Sequence, residues 1–281
     1  MFSILNVIRC YSDNILTVFK DFACALVRKD GILERVIFKM NIFAIGDLHL
    51  SFNKKVIPGQ WDLVEVYKPM SLFGEKWEKH YQKIYENWLE IVSEDDLILL
   101  PGDISWASDF VEAEHDFNFI AGLPGKKVLI RGNHDYWWQA ISRLRSQVPE
   151  NCYLIQNDSL NLQGVSVAGT RGWTVPNSFQ FTEHDEKIYR RELVRLELSL
   201  KSIKMRGEKL IVMLHYMPVN EDHEKNEIIE LLQDFQVDIC IYGHLHGEEA
   251  HKTRLTGEKW GINFQLVSSD FLNFKPMKIL D

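Results

Sequence analysis

Gly46-Asp47-Leu48-His49, Gly102-Asp103, Gly132-Asn133-His134-Asp135, a solitary His215 and Gly243-His244-Leu245-His246 are the residues whose types and spacing permit metal chemistry. Asp47 and His49 stand two apart, as do His244 and His246. In an extended segment both members of such a pair project to the same side and can chelate one ion. Carboxylate, imidazole and amide oxygen together form a donor mixture for divalent transition metals, and two such ions side by side hydrolyse phosphate esters. Taken singly, each motif has a plain alternative: Asp47 and Asn133 as turn formers, His49 as a surface residue, Asp103 as a helix cap. The joint pattern carries the reading. Glycine before the ligand in four of the five motifs also fits a backbone that approaches metal and phosphate closely, where a Cβ would intrude.

Before each motif runs an apolar, β-branched segment: Ile42 to Ile45, Leu97 to Leu100, Val128 to Ile130, Leu210 to Leu214 and Ile239 to Tyr242. Helical periods alternate with them, over Trp77 to Val92, Ser108 to Ala121 with Ser108 as N-cap, Trp137 to Gln147, Glu183 to Met205, and around Asn226 to Phe235. Shorter strand-like pieces occupy Tyr153 to Gln156 and Val165 to Gly169, and the tail near Phe264 to Val267 reads as antiparallel strand. This is the pattern of an α/β fold, whose ligands bind beyond the carboxyl ends of the strands. The architecture it implies is one domain of two sheets with helices outside. Ser51 to Lys76 is too long for an ordinary connection and is expected to cover something, as a cap that shapes a pocket.

The 281 residues suffice for one large α/β domain, and 46% apolar with 26% charged residues is an ordinary globular composition. A formal charge of −8 gives no long-range attraction to a nucleic-acid backbone, which argues against a nucleic-acid partner. Cys10, Cys24, Cys152 and Cys240 are widely spaced with no C-x-x-C pair, so a reducing, cytoplasmic setting is expected. No stretch reaches the roughly 18 apolar residues that span a bilayer. Residues 1–39 are read as an extension the fold does not need, or as a start assigned too early. Arg9, Asp13, Lys20 and Asp21 interrupt a signal-peptide core among otherwise helix-compatible residues. A surface-seeking amphipathic helix is the functional alternative there. The domain itself is expected over 40–281.

In order and spacing, G-D-L-H, G-D, G-N-H-D, H and G-H-L-H resemble the calcineurin-like metallophosphoesterase superfamily over Met40 to His246. The resemblance implies a four-layer α/β/β/α sandwich of two mixed sheets. It also implies a site with two divalent ions (Mn, Fe, Zn or Co), and a metal-bridging hydroxide that attacks a phosphomonoester or phosphodiester. By position, Asp47, His49 and His246 would hold the first ion, Asn133, His215 and His244 the second, and Asp103 would bridge them. His134 would assist the leaving group, supported by Asp135. Protein phosphatases of the family carry Asp-Arg-Gly soon after the second motif. Ile104-Ser105-Trp106-Ala107 stands there instead, which favours a small-molecule or nucleotide substrate over a phosphoprotein. A non-catalytic scaffold and a nuclease are the alternatives, and no protein partner can be inferred.

Trp106, Trp137, Trp138 and Trp173 cluster beside the motifs, either as packing residues or as a wall that stacks on a planar leaving group. Arg131 and Arg171 are read as contacts to a substrate phosphate or as structural ion-pair partners. His80, His115, His184, His223 and His251 fall outside the pattern and are expected on the surface.

Overall fold

A computed structural model describes residues 17–18, 24–29, 32–37 and 40–280, apart from 163 and 180. The chain divides into two compact units, one over Met1–Met40 with Asp281 and the other over Asn41–Leu280. In the first, β1 (Thr17–Val18), β2 (Cys24–Lys29) and β3 (Ile32–Ile37) form an antiparallel sheet in that order. Thr17 and Val18 are thus strand rather than helix, and the rest of the helix-compatible stretch from Ile4 to Phe19 lies outside the described residues.

The second unit holds two mixed sheets. One contains, in spatial order, β14 (Met277–Leu280), β4 (Ile42–Ala44), β5 (Leu97–Leu100), β6 (Lys126–Leu129) and β7 (Cys152–Leu154). The four from β4 to β7 run parallel and β14 antiparallel to β4. The other orders β12 (Gly257–Lys259), β13 (Ile262–Leu266), β11 (Ile239–Tyr242), β10 (Lys209–Leu214), β9 (Val165–Thr170) and β8 (Ser159–Leu162). Its two edge strands, β12 and β8, pair antiparallel to β13 and β9, while β13, β11, β10 and β9 are parallel. The tail strand over Phe264 to Val267, expected to be antiparallel, therefore lies parallel to β11 and antiparallel only to β12.

The central strands are apolar throughout because both faces are buried. Phe43, Ile98, Leu100 and Leu129 pack with Tyr81, Ile84 and Trp88 of α1 (His80–Ile91) and with Phe117 and Ile120 of α2 (Glu114–Ala121). Val212, Leu214, Cys240 and Tyr242 pack with Tyr189, Leu196 and Leu200 of α4 (Glu183–Lys201) and with Ile228, Ile229 and Leu232 of α5 (Glu227–Asp234). The alternate residues Ala44, Leu97, Leu99, Val128, Ile211, Met213 and Ile241 belong to neither helix-facing core yet are fully buried. They fill the space between the sheets, giving four layers, helix, sheet, sheet and helix. The sheets meet at their carboxyl ends, where the Gly46 amide donates to the Val267 carbonyl at 2.7 Å and the Ser269 amide to the Gly46 carbonyl at 3.1 Å.

Three helix boundaries differ from the periodic reading. Thr182 caps α4 through a reciprocal box with Asp185, but α4 ends at Lys201 rather than Met205. Ser108 caps nothing: its amide and hydroxyl both reach Glu112, and α2 begins at Glu114 after a run of turns. The helix expected from Trp137 shrinks to α3 (Ile141–Arg145), because Trp137, in a turn, and Trp138, in irregular chain, pack their rings into the core. His80 is also not on the surface. It is buried with Nε2 3.0 Å from the Leu48 carbonyl, and burial pushes its imidazole down to about 4.

Asp116 on α2 ties two loops together. It accepts the Phe52 amide at 2.8 Å and the Ser105 hydroxyl, and burial pushes its carboxyl up to about 7. With an unfolded-state value of about 3.9, the folded chain binds the extra proton, so this group lowers stability progressively as pH rises from about 4 to about 7. Asp116→Asn is expected to flatten that decline. Urea midpoints of both proteins at the two ends of the window check it, and a wild-type-minus-variant difference that does not change with pH would contradict it.

Candidate metal centre

The strand ends carry the motifs into one cleft, and backbone hydrogen bonds lace them together. The Asp47 amide donates to the Gly102 carbonyl and the His49 amide to the Asp103 carbonyl, both at 3.0 Å. The His215 amide donates to the Arg171 carbonyl at 2.9 Å, and the Gly243 amide to the His215 carbonyl at 3.1 Å. Asp47, His49, Asp103 and His244 all adopt positive φ, between 46° and 70°. Asp and His tolerate that region better than most residues, and such strain concentrates at functional sites. A Cβ on Gly132 would collide with the Asp103 carboxylate, and one on Gly243 with that of Asp47. These two glycines are required by the carboxylates, a nearer constraint than the metal and phosphate invoked from sequence.

The donor atoms fall into two groups. In the first, His49 Nε2 lies 3.3 Å from His246 Nε2, which lies 3.4 Å from Asp47 Oδ1. In the second, His215 Nε2 lies 2.6 Å from Asn133 Oδ1 and 3.3 Å from His244 Nδ1. Asp103 Oδ2 sits between them, 3.4 Å from His215 Nε2 and 3.9 Å from His49 Nε2. Donors about 2.1 Å from a common tetrahedral ion are about 3.4 Å apart, so most of these spacings are those of ligands around a cation. Asp47 Oδ1 also approaches His215, but at 3.8 Å from Nδ1, whose hydrogen bond is to the Pro101 carbonyl at 3.0 Å. Asp103 Oδ2 is thus the carboxylate oxygen that faces an Nε2 atom in each group. Asp47, His49 and His246, and likewise Asp47, Asp103 and His215, offer ligand atoms within 4.8 Å of one another.

A profile of the calcineurin-like phosphoesterases matches residues 40–248, most of the chain. The chain belongs to this family. Among curated proteins none matches. Solved structures that align with this chain include a protein of unknown function from Aquifex aeolicus, 15% identical with a TM-score of 0.46, covering 85% of this chain and 96% of that one. Another is GAP50, the anchor in the inner membrane complex of Plasmodium, 15% identical with a TM-score of 0.45, covering 82% and 72%.

The electrostatics of the cleft suit cations. Burial disfavours charge on Asp47 and Asp103, yet the imidazoles of His246 and His215 beside them hold both carboxyls well below the usual range. Burial opposes charge on His215 and His246 too, but the neighbouring carboxylates lift them to about 9 and about 10. The carboxylates thus draw protons onto His215 and His246, a role a metal ion fills better. Burial pushes His49 and His244 down to about 3, leaving neutral imidazoles with lone pairs free. His49 Nδ1 is buried and has no hydrogen-bond partner among the described residues.

Two residues that the motifs did not reveal support the candidate site. Asp270 Oδ1 lies 2.8 Å from His246 Nδ1 and so turns Nε2 toward the cleft, while Oδ2 accepts the Gly247 amide at 2.9 Å. Asp270 follows β13 as the candidate ligands follow their strands, a signal that marks the residue but not its pairing with His246. Tyr216 stacks 4.0 Å from His244 and had no signal beyond its place after His215. Replacing a partner of a metal-bound histidine typically lowers metal affinity about 10–100-fold. Asp270→Ala is expected to weaken one metal site by that range and leave the other, measured by competition with a metal-binding dye. Equal loss at both sites, or none, would contradict the assignment.

Asp135 does not support His134. Its carboxylate accepts the amides of Asp103, Ile104, Ser105 and Gly132 and the Trp137 indole at 2.7 to 3.3 Å, while His134 Nδ1 faces the Tyr136 hydroxyl at 3.2 Å. Asp135 therefore locks the loop that carries Asp103. Trp137 forms no substrate wall. It is fully buried against Phe117, with ring centroids 5.0 Å apart, and truncating it to alanine would cost about 3–5 kcal/mol of folding stability. Trp106 does line the cleft, with its ring 4.8 Å from His49 and 4.2 Å from His134 and Lys68 Nζ 3.1 Å from its centroid. Trp77 closes the Ser51 to Lys76 segment with its ring 5.9 Å from His49 and 5.5 Å from His246, so the long connection borders the site. Arg171 pairs with Glu192 at 3.4 Å and stacks 4.5 Å over Trp173, whereas Arg131 is half-buried without an ion pair or hydrogen bond among the described residues.

Proposed function

We propose that this chain is a metal-dependent hydrolase of phosphate esters, acting on a small molecule or nucleotide. The observation that carries the reading is the convergence of two donor groups on the Asp103 carboxylate, at ligand spacing, within a fold whose family is phosphoesterase. Asp47, His49 and His246 would hold one divalent ion, Asn133, His215 and His244 another, and Asp103 both. The donor types admit manganese, iron, zinc or cobalt. When bound, two such ions supply Lewis acidity and lower the pKa of a shared water toward neutrality.

The chain's own residues do the rest. Pro101 and Asp270 fix the ring orientation of His215 and His246. Asp135 holds the Asp103 loop rigid. His134 is anchored by its amide to Asp103 Oδ1 at 2.8 Å and by Nδ1 to Tyr136, which leaves Nε2 to face the leaving oxygen. Trp106 walls the cleft, and Lys68 above it adds positive charge for an incoming phosphate. Arg131 and Arg171 flank the second donor group. The Ile104-Ser105-Trp106-Ala107 that stands in place of an Asp-Arg-Gly and the net charge of −8 support a small substrate over a phosphoprotein or nucleic acid, and the widely spaced cysteines support a reducing, cytoplasmic setting.

Metal-loaded protein assayed with mono- and bis-nitrophenyl phosphates tests the proposal. Turnover of either with one of those metals is the expected result. No turnover with any of them would instead favour a scaffold that keeps the fold without the reaction.

A further inference from the structure

At the carboxyl ends of β6 and β9 lies a cavity of about 110 Å³, lined by Arg131, Gln139, Gln156, Arg171, Glu192 and Arg195 among others. Its volume is many times the roughly 10–15 Å³ that one water needs. Three guanidinium groups face it against a single carboxylate, in a protein whose net charge is −8. That carboxylate is already engaged. Glu192 Oε1 lies 2.7 Å from Arg195 Nη1 and 3.4 Å from Arg171 Nη2, and Oε2 accepts the Thr170 hydroxyl at 2.7 Å. The Nε atoms of Arg131 and Arg171 are buried with no hydrogen-bond partner among the described residues. A structural ion pair with Glu192 accounts for Arg171 and Arg195, but it leaves Arg131 unexplained. Buried polar groups are almost always satisfied, and an orphaned pair of guanidinium donors calls for an acceptor.

The cavity adjoins the second donor group. Arg131 stands two residues before Asn133, and the Arg171 carbonyl accepts the His215 amide at 2.9 Å. Arg171 stacks 4.5 Å over Trp173, which lies 4.9 Å from Tyr216, itself 4.0 Å from His244. This chain of ring contacts holds the guanidinium fork in place, the arrangement that suits a tetrahedral oxyanion. We propose that this cavity is a second anion subsite that takes a phosphate group other than the one hydrolysed, so that the substrate carries two phosphates. The inference rests on the phosphoesterase reading for its link to a substrate. It rests on the cavity alone for anion binding.

Two measurements on the full chain separate these links. Inorganic phosphate titrated calorimetrically into chelator-treated protein reports the cavity without metals, and saturable binding is expected. Arg131→Gln and Arg195→Gln, on different elements, should each weaken it by about tenfold or more, the worth of a charge-assisted hydrogen bond. Metal-loaded protein then compares kcat/KM for hexose, pentose and nucleoside bisphosphates with their monophosphates. At least one bisphosphate should be preferred about tenfold, with that preference abolished in both variants. No saturable phosphate binding, equal binding by the variants, or, where esters are turned over, a bisphosphate preference that is absent or survives both substitutions overturns the proposal. Phosphate binding lost in both variants, with no ester turned over, would uphold the subsite and overturn the hydrolase reading instead.

Discussion

Asp103→Ala is expected to abolish phosphoester hydrolysis and to weaken occupancy of both metal sites. The reason is position: whereas Asp47 Oδ1 meets His215 only on the Nδ1 side that Pro101 occupies, Asp103 Oδ2 faces the Nε2 atom of an imidazole in each donor group, at 3.4 Å and 3.9 Å. Its loss should exceed the roughly 10–100-fold affinity change typical of a residue that merely supports a ligand. Because Oδ1 also accepts the His134 amide, the isosteric Asp103→Asn separates charge from shape. It too should lose activity while keeping the wild-type melting profile. Elemental analysis of both variants checks the point, and two-metal binding retained in the alanine variant would contradict the bridging role.

His134→Ala should behave differently. Its ring lies 5.9 Å from His49 and beside Trp106, and only its backbone amide touches a donor, Asp103 Oδ1. Metal content is expected to survive while turnover falls about 10²–10⁴-fold, the usual contribution of a positioned acid or hydrogen-bond donor. Burial pulls the imidazole below its ordinary value, so near neutral pH the neutral ring dominates and stabilises charge on the leaving oxygen by hydrogen bonding. The loss should therefore be steepest for poor leaving groups. A rate series over nitrophenyl, phenyl and alkyl phosphates measures this. An equal loss across the series would argue that His134 only shapes the cleft.

Much of this centre was legible before any coordinates, because its signals are local. Asp47 and His49, or His244 and His246, announce themselves through a spacing of two at the end of an apolar run, and parallel strands bring such ends together. What escaped depends on contacts far apart in the chain. Asp270 meets His246 from 24 residues away, and no pattern marks that pairing. Asp135 shows the opposite error: adjacency to His134 implied cooperation, whereas its carboxylate turns to amides about 30 residues earlier. Trp137 and Ser108 misled through the helical period, which cannot distinguish a helix from turns whose side chains also reach the core. His80 looked like a surface residue because a lone histidine carries no sign of burial, yet it packs beneath the first motif. The four layers follow more directly. Strands apolar on both faces require cover on both, and here helices and the opposite sheet supply it.

The most direct measurement is anomalous diffraction from crystals soaked in manganese. Two peaks about 3.5–4 Å apart, one among Asp47, His49 and His246 and one among Asn133, His215 and His244, with Asp103 touching both, are the expected result. A single peak, or metal bound away from these residues, would contradict the account.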